Sequence, residues 1–288
     1  MRDLPHSPPS VVVGLDGSPS ALDAALWAVD EATSRDIPLR LIYAVDPDDS
    51  SGSDPRDAAR DLATAEIAIR YAFAAVESTD KPVKIEAEIL QIAPARALID
   101  ASRSAAMVCL GDMGVKHSGY GRMGSTAAAV AASAHCPVAI VRAYDPRPGQ
   151  GWVVAEVDGS PASNHVLHRA LDEARLRAAP LRVLTSWPSR FTDIYNSRAV
   201  TDGNRLAKAQ VERQLAQWKK RYADLDIESV VVHGNTLNYL TEYADWIQLL
   251  VVGHERAEGI KNLVGPPGYA SLHEAGCSVL ICQPQTVL

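Results

Sequence analysis

Asp16-Gly17-Ser18-Pro19 recurs as Asp158-Gly159-Ser160-Pro161, 142 residues further along the chain. Glu31-Ala32 recurs as Glu173-Ala174, Pro38-Leu39-Arg40 as Pro180-Leu181-Arg182 and Gly111 as Gly253, all at the same offset of 142. The offset then falls by one, so that Gly124 matches Gly265, Cys136 matches Cys277 and Val138 matches Val279. A constant spacing over about a hundred residues, followed by a single deletion, marks a duplicated domain. The period is too long for a solenoid unit and fits a whole α/β domain. The joint falls in Asp145-Pro146-Arg147-Pro148-Gly149-Gln150-Gly151, a turn-rich linker. The expected domains are therefore 1–144 and 152–288, joined by 145–151.

Composition limits the partners. The chain carries 28 Lys and Arg against 35 Asp and Glu, a net charge of −7 over 288 residues. Duplex nucleic acid and anionic membranes are bound through clustered basic charge, so neither is an expected partner. Hydrophobic residues make up 47% and aromatics 6%. Each half can bury a core, and Ala and Val must fill much of it, which suits small-residue helices packed on a buried sheet. No apolar run approaches the ~18–20 residues of a spanning helix. The first ten residues, MRDLPHSPPS, contain no apolar stretch of the secretory kind. Cys109, Cys136, Cys277 and Cys282 form no C-x-x-C pair and read as small buried hydrophobes in a reducing, cytoplasmic setting.

Within each half, strands and helices alternate. Val11–Leu15 is apolar without alternation, as a strand buried on both faces requires. Ser18 can cap the helix that follows, and Pro19 suits its first position. Ala25, Ala28, Val29 and Ala32 then share one helical face, matched by Leu167, Ala170, Leu171 and Ala174. Strand two is expected at Leu39–Val45 and again at Leu181–Trp187. A polar loop with six Asp between 46 and 61 follows, then a long helix to about Glu77. Strand three is expected at Val83–Leu90 and Ile227–His233, a helix at Pro94–Ser104, strand four at Ala106–Leu110, a helix from Ser125 and the last strand at Val138–Arg142. Such alternation predicts two tandem doubly wound α/β domains, each a five-stranded parallel sheet ordered 3-2-1-4-5 and flanked by helices, Rossmann-like in class.

Between strand four and the next helix, Gly111, Gly114, Gly124 and Ser125 form the frame Gly-x2-Gly-x9-Gly-Ser. The frame leaves the carboxyl end of a strand and enters a helix N-terminus, where N–H groups without partners attract phosphate. Glycine lets the backbone approach an anion closely. Ser125 and Thr126 place hydroxyls at the same point, and Lys116 and Arg122 lie in the loop. Asp16 ends strand one, beside strand four in the 3-2-1-4-5 order, and so faces the same crevice. A carboxylate there suits a ribose hydroxyl or a divalent ion better than a phosphate.

Strand–Asp-Gly-Ser–helix, strand–Gly-x2-Gly-x9-Gly-Ser–helix and the closing strand Pro137-Val138-Ala139-Ile140-Val141 together resemble the universal stress protein family, in two tandem copies spanning nearly the whole chain. The resemblance implies ATP, carried with Mg or Mn, with its phosphates on the glycine frame and its adenosine between the strand-one Asp and the end of strand two. Carried over, Asp16, Gly111, Gly114, Gly124 and Ser125 match, Thr126 adjoins them, and Ala44 and Val45 would line the adenine. Asp16 is also the one metal-facing residue implied, through a nucleotide-bound ion. The family's last-strand pairing implies a pseudo-dimer within the chain, Val138–Arg142 beside Val279–Gln283, and a homodimer as a further option.

The second half departs from the frame. Asp158, Gly253 and Gly265 remain as a weak second site, but Arg256 replaces Gly114 and Pro266-Pro267 replaces Ser125-Thr126. Proline removes an N–H and the hydroxyl that a phosphate would use. A structural or docking role is the expectation for this copy. For the whole chain the expected role is a nucleotide-dependent stress-response or signalling protein with an unidentified protein partner, and not an enzyme. The alternatives are a slow ATPase or phosphotransferase, for which His117 is the only acid–base group in the loop, and an interaction protein without nucleotide. Loops 46–61 and 188–204 are expected to be solvated segments. No Walker Gly-Lys-Ser/Thr occurs.

Overall fold

The computed structural model describes residues 9–47, 55–115, 123–142, 144, 151–158, 160, 163–187, 197–254 and 276–283. The chain divides into two compact units between Asp145 and Pro146.

In the first unit, strand β1 (Val11–Leu15) leads into α1 (Pro19–Ser34), β2 (Leu39–Ala44), α2 (Pro55–Glu77), β3 (Ile85–Leu90), α3 (Pro94–Ala101), β4 (Met107–Gly111), α4 (Ser125–Ser133) and β5 (Val138–Val141). The strands are parallel in the order β3-β2-β1-β4-β5. Val11, Val12 and Val13 are fully buried because helices cover both faces of a parallel sheet. Ser18 caps α1, its hydroxyl accepting the Ala21 N–H at 3.2 Å, with Pro19 at the first helical position. Ala25, Ala28, Val29 and Ala32 face inward with no exposed surface.

The second unit runs β6 (Trp152–Glu156), α5 (Ser163–Leu176), β7 (Leu181–Trp187), α6 (Ser197–Arg221), β8 (Ile227–His233), α7 (Thr236–Glu242), a 3-10 turn at Ala244–Trp246, β9 (Ile247–Gly253) and β10 (Ser278–Cys282). Its strands are parallel in the order β10-β9-β6-β7-β8, the same topology. The register repeats too. Val11 sits beside Leu39 and Leu39 beside Ile85, as Val153 sits beside Leu181 and Leu181 beside Ile227.

Local devices recur at the same spacing. Glu31 is buried and pairs with Arg35 one turn later, and Glu173 is buried and pairs with Arg177. A buried carboxylate is tolerable only with such a partner, which explains why Glu31 and Glu173 marked the repeat. The residue leaving α1 and the one leaving α5 are both left-handed, Asp36 at φ 51° and Ala178 at φ 48°. Asp accepts that conformation more easily than Ala.

Two loop expectations are corrected. Residues 55–61 belong to α2 and residues 197–204 to α6, so neither expected loop extends through its whole span. Their polar composition is that of a solvated helix face, with Ala65, Ala72 and Val76 of α2 and Val211 and Leu215 of α6 turned inward. Residues 48–54 and 188–196 lie outside the described residues. Strand three starts at Ile85 instead of Val83, and α3 stops at Ala101, because Arg103 and Ser104 donate to Asp100 and Ala101 in tighter three-residue turns. All four cysteines are buried, and burial pushes the Cys282 thiol up to about 12. Among the described residues no helix is long and apolar enough to cross a membrane.

Candidate functional site

At the carboxyl end of the first unit's strands lies a cavity of about 580 Å³. That volume is within the ~300–1,000 Å³ range of small-molecule sites. The sheet order places it. Strands β1 and β4 are neighbours, and the crevice opens where the chain crosses from one side of β1 to the other.

Each sequence-predicted residue of the first unit lines this cavity. Asp16 comes from the end of β1, Ala44 and Val45 from the end of β2. Gly111 and Gly114 lead out of β4, and Gly124, Ser125 and Thr126 lead into α4.

The glycines answer to two different contacts. A Cβ on Gly111 would fall 2.6 Å from the Ser20 carbonyl carbon and 2.7 Å from the Ala21 nitrogen. Gly111 is therefore needed to seat α1 against β4. A Cβ on Gly114 would fall 2.7 Å from Asp16 Oδ2. That carboxylate joins the two halves of the site. Its Oδ1 accepts the Ser18 N–H at 2.9 Å, and its Oδ2 accepts the Val115 N–H at 3.1 Å across the crevice. Asp16 thus holds the start of the glycine loop.

The far end of the loop is closed by the backbone. Gly124 N–H donates to the Asp112 carbonyl at 2.9 Å. Helix α4 then begins at Ser125 with Gly124 in the capping position and no side-chain cap. Its first N–H groups have no partner within the helix and open on the cavity. The helix dipole gives that point partial positive charge. Gly124 itself is unstrained, since a Cβ there would meet its nearest atoms at ordinary contact, 3.5 Å and beyond.

Three residues of the site were not singled out from the sequence. Ser20 in the first turn of α1 donates its hydroxyl to the Met113 carbonyl. Asp112 and Arg142 form a buried pair at the ends of β4 and β5, 3.8 Å apart, with side chains 3% and 2% exposed. The shared offset held the signal for the pair. Asp112 and Arg142 correspond to His254 and Gln283, so an Asp–Arg couple in one copy is replaced by a His and a Gln in the other. Asp112 also acts on Asp23, whose carboxyl is raised above the usual range by burial first and by the Asp112 charge second.

The described lining is acidic. Asp16, Asp46 and Asp61 face the cavity, and no Lys or Arg is among its described residues. Lys116, His117 and Arg122 lie outside the described residues. Among the described residues no three His, Cys, Asp or Glu side chains gather as a metal site.

In the second unit Asp158 repeats the turn made by Asp16. Its Oδ1 accepts the Ser160 N–H at 2.9 Å, and it also accepts the Ser163 hydroxyl at 2.5 Å. Gly253 ends β9, where, among the described residues, a Cβ would meet the Val166 methyl at 3.3 Å. Gly265, Arg256 and the Pro266-Pro267 pair lie outside the described residues.

A doubly wound sheet with a crevice at its switch point defines a Rossmann-like protein. The family model described as "Universal stress protein family" matches residues 9–142 and again 153–283, and the chain belongs to that family as a tandem pair. Universal stress protein Rv2028c of Mycobacterium tuberculosis is 48% identical over 97% of this chain and 98% of its own length. Universal stress protein Rv2624c of the same organism is 37% identical over 94% of this chain and 95% of its own. Among solved structures, a universal stress protein from Archaeoglobus fulgidus DSM 4304 matches with a TM-score of 0.70 at 12% identity, covering 96% of each chain. That likeness is one of fold.

Proposed function

We propose that the first unit holds ATP, and that the chain acts as a nucleotide-dependent stress-response protein through the bound nucleotide instead of through turnover. The observation that carries this reading is the uncapped start of α4, opening on a 580 Å³ cavity whose glycine loop is held by Asp16. The parts suit the parts of the ligand. Gly114 keeps the loop free of a Cβ, and the first N–H groups of α4 offer donors without competing side chains. The end of β2 supplies Ala44 and Val45 for a flat apolar ring, with Pro94 and Leu98 of α3 across from them. The acidic lining works against a naked polyphosphate, since like charges in one crevice repel. A divalent cation, Mg or Mn, would remove that conflict, and Asp16, beside the loop, is the carboxylate that would face it.

Acid denaturation of the purified protein, followed by chromatography of the supernatant, tests the proposal. The expected result is ATP in proportion to protein. Accumulation of ADP on standing would replace it with the ATPase reading, and an empty supernatant that stays empty after incubation with ATP and Mg would replace it with the interaction-protein reading.

A further inference from the structure

Four positions that line the first cavity change together in the second unit. The spacing of 142 carries Gly14, Val45, Asp61 and Pro94 onto Glu156, Trp187, Gly203 and Thr236. The strand registers agree at that spacing, and α2 and α6 start at equivalent residues, Pro55 and Ser197. The changes therefore fall at the same points of the fold.

Together they fill space. Gly14 has no side chain, and a Cβ there would lie 2.5 Å from a Leu110 methyl. Glu156 instead extends a carboxylate that accepts the Thr236 hydroxyl at 2.8 Å, with both residues buried. At the end of β7, Trp187 sets a fused two-ring system where β2 is followed by the isopropyl group of Val45. Its indole packs on His233 with centroids 4.3 Å apart, and its Nε1–H donates to Asn204 Oδ1 at 2.7 Å. Helix α6 makes room for it. A Cβ on Gly203 would stand 2.6 Å from two indole carbons. Glycine is a poor residue for a helix interior, so its place here is explained by the ring it admits. The larger residue on the strand is matched by a smaller one on the helix, the mark of a packed pair.

The geometry points to a second crevice filled from within. Trp187, seated on Gly203 and His233 and tied to Asn204, takes the volume that the first unit offers to a purine ring, while the hydrogen-bonded Glu156–Thr236 pair stands where Gly14 and Pro94 line the first cavity. Indole and adenine are both flat, fused and stackable, so the chain supplies its own stand-in and refuses a purine nucleoside at this site. Specificity between the copies is set by these side chains as well as by the phosphate loop. This inference rests on the nucleotide reading of the first unit and deepens it, because it assigns one nucleoside to each chain.

Adenosine is the probe, since it needs no phosphate loop. Titration calorimetry on the full wild-type chain is expected to give one adenosine per chain. The chain carrying Glu156→Gly, Trp187→Val, Gly203→Asp and Thr236→Pro, checked for folding by circular dichroism, is expected to take two. Two per wild-type chain, or no gain in the folded variant, overturns the inference. A wild-type chain that takes neither adenosine nor ATP with Mg defeats the reading of the first unit instead, and a rise from none to one adenosine in the variant would still uphold the filled crevice. Wild-type protein labelled with 5-fluorotryptophan, with Trp187 assigned through Trp187→Phe, covers the case in which the variant does not fold. The Trp187 fluorine signal should hold still through saturation with adenosine. A shift of that signal that tracks adenosine overturns the proposal.

Discussion

Asp16 and Asp158 begin alike and end differently. Each accepts the N–H two residues ahead at 2.9 Å, which shapes the turn after the first strand of its unit. Asp16 then reaches outward to the Val115 N–H, while Asp158 bonds the Ser163 hydroxyl at the start of its own helix. One neighbour separates the two. Position 21 is Ala and offers the carboxylate no hydroxyl, whereas its counterpart Ser163 does. A repeated motif can thus keep its turn while its carboxylate takes a new near partner.

The comparison can be broken in order of expected effect. Arg142→Met leaves Asp112 buried opposite a hydrocarbon and should destabilise the first unit by about 3–5 kcal/mol in urea unfolding. Gln283→Met, at the equivalent uncharged position, should cost far less; equal losses would show that the charged pair is not what separates the copies. Gly114→Glu should weaken ATP binding by at least ~100-fold, about 3 kcal/mol, with the fold intact by circular dichroism. Retained ATP would remove Gly114 from the site. Asp16→Asn places an amide against the Val115 N–H in place of a charged acceptor and should weaken binding by roughly tenfold, while Asp158→Asn leaves it unchanged. Ala178→Gly relieves a left-handed alanine and should raise stability by about 0.5–1 kcal/mol in thermal unfolding, with a smaller gain from Asp36→Gly.

The smallest effect is on the acid side. Glu212 is held below its ordinary 4.5 by hydrogen bonds from Lys219 first and Ser229 second. A depressed carboxyl contributes stability above its unfolded value and loses it as pH falls through the lower folded value. Glu212→Gln should therefore flatten the fall in stability below about pH 4.5, a change visible in urea unfolding across that window. The equivalent position of the first unit, at the same spacing of 142, is Arg70, which pairs with Glu66 on an exposed face of α2. Arg70→Gln is the control, and it should leave the acid limb where it was, since an exposed pair is screened by solvent.

Much of this comparison was legible before any coordinate. The offset of 142 carried the strand order, because identical spacing imposes identical register, and the unalternating run Val11–Leu15 reads as a doubly covered strand. The cavity residues were legible because glycines at a strand end and hydroxyls at a helix start each have one physical use in common. The Asp112–Arg142 pair was not, since its members are joined only once β4 and β5 lie side by side. The starts of α2 and α6 were hidden by their exposed charge, which reads as loop until the inward residues are known. Trp187 and Gly203 were invisible one at a time, because each makes sense only against the other.

The burial of the cysteines has a consequence for how a stress signal can enter the molecule. Thiols respond to oxidants in proportion to their exposure and thiolate content. All four here are buried, and Cys282, with its thiol pushed up to about 12, carries almost no thiolate at neutral pH. The four cysteines are thus chemically quiet toward peroxide.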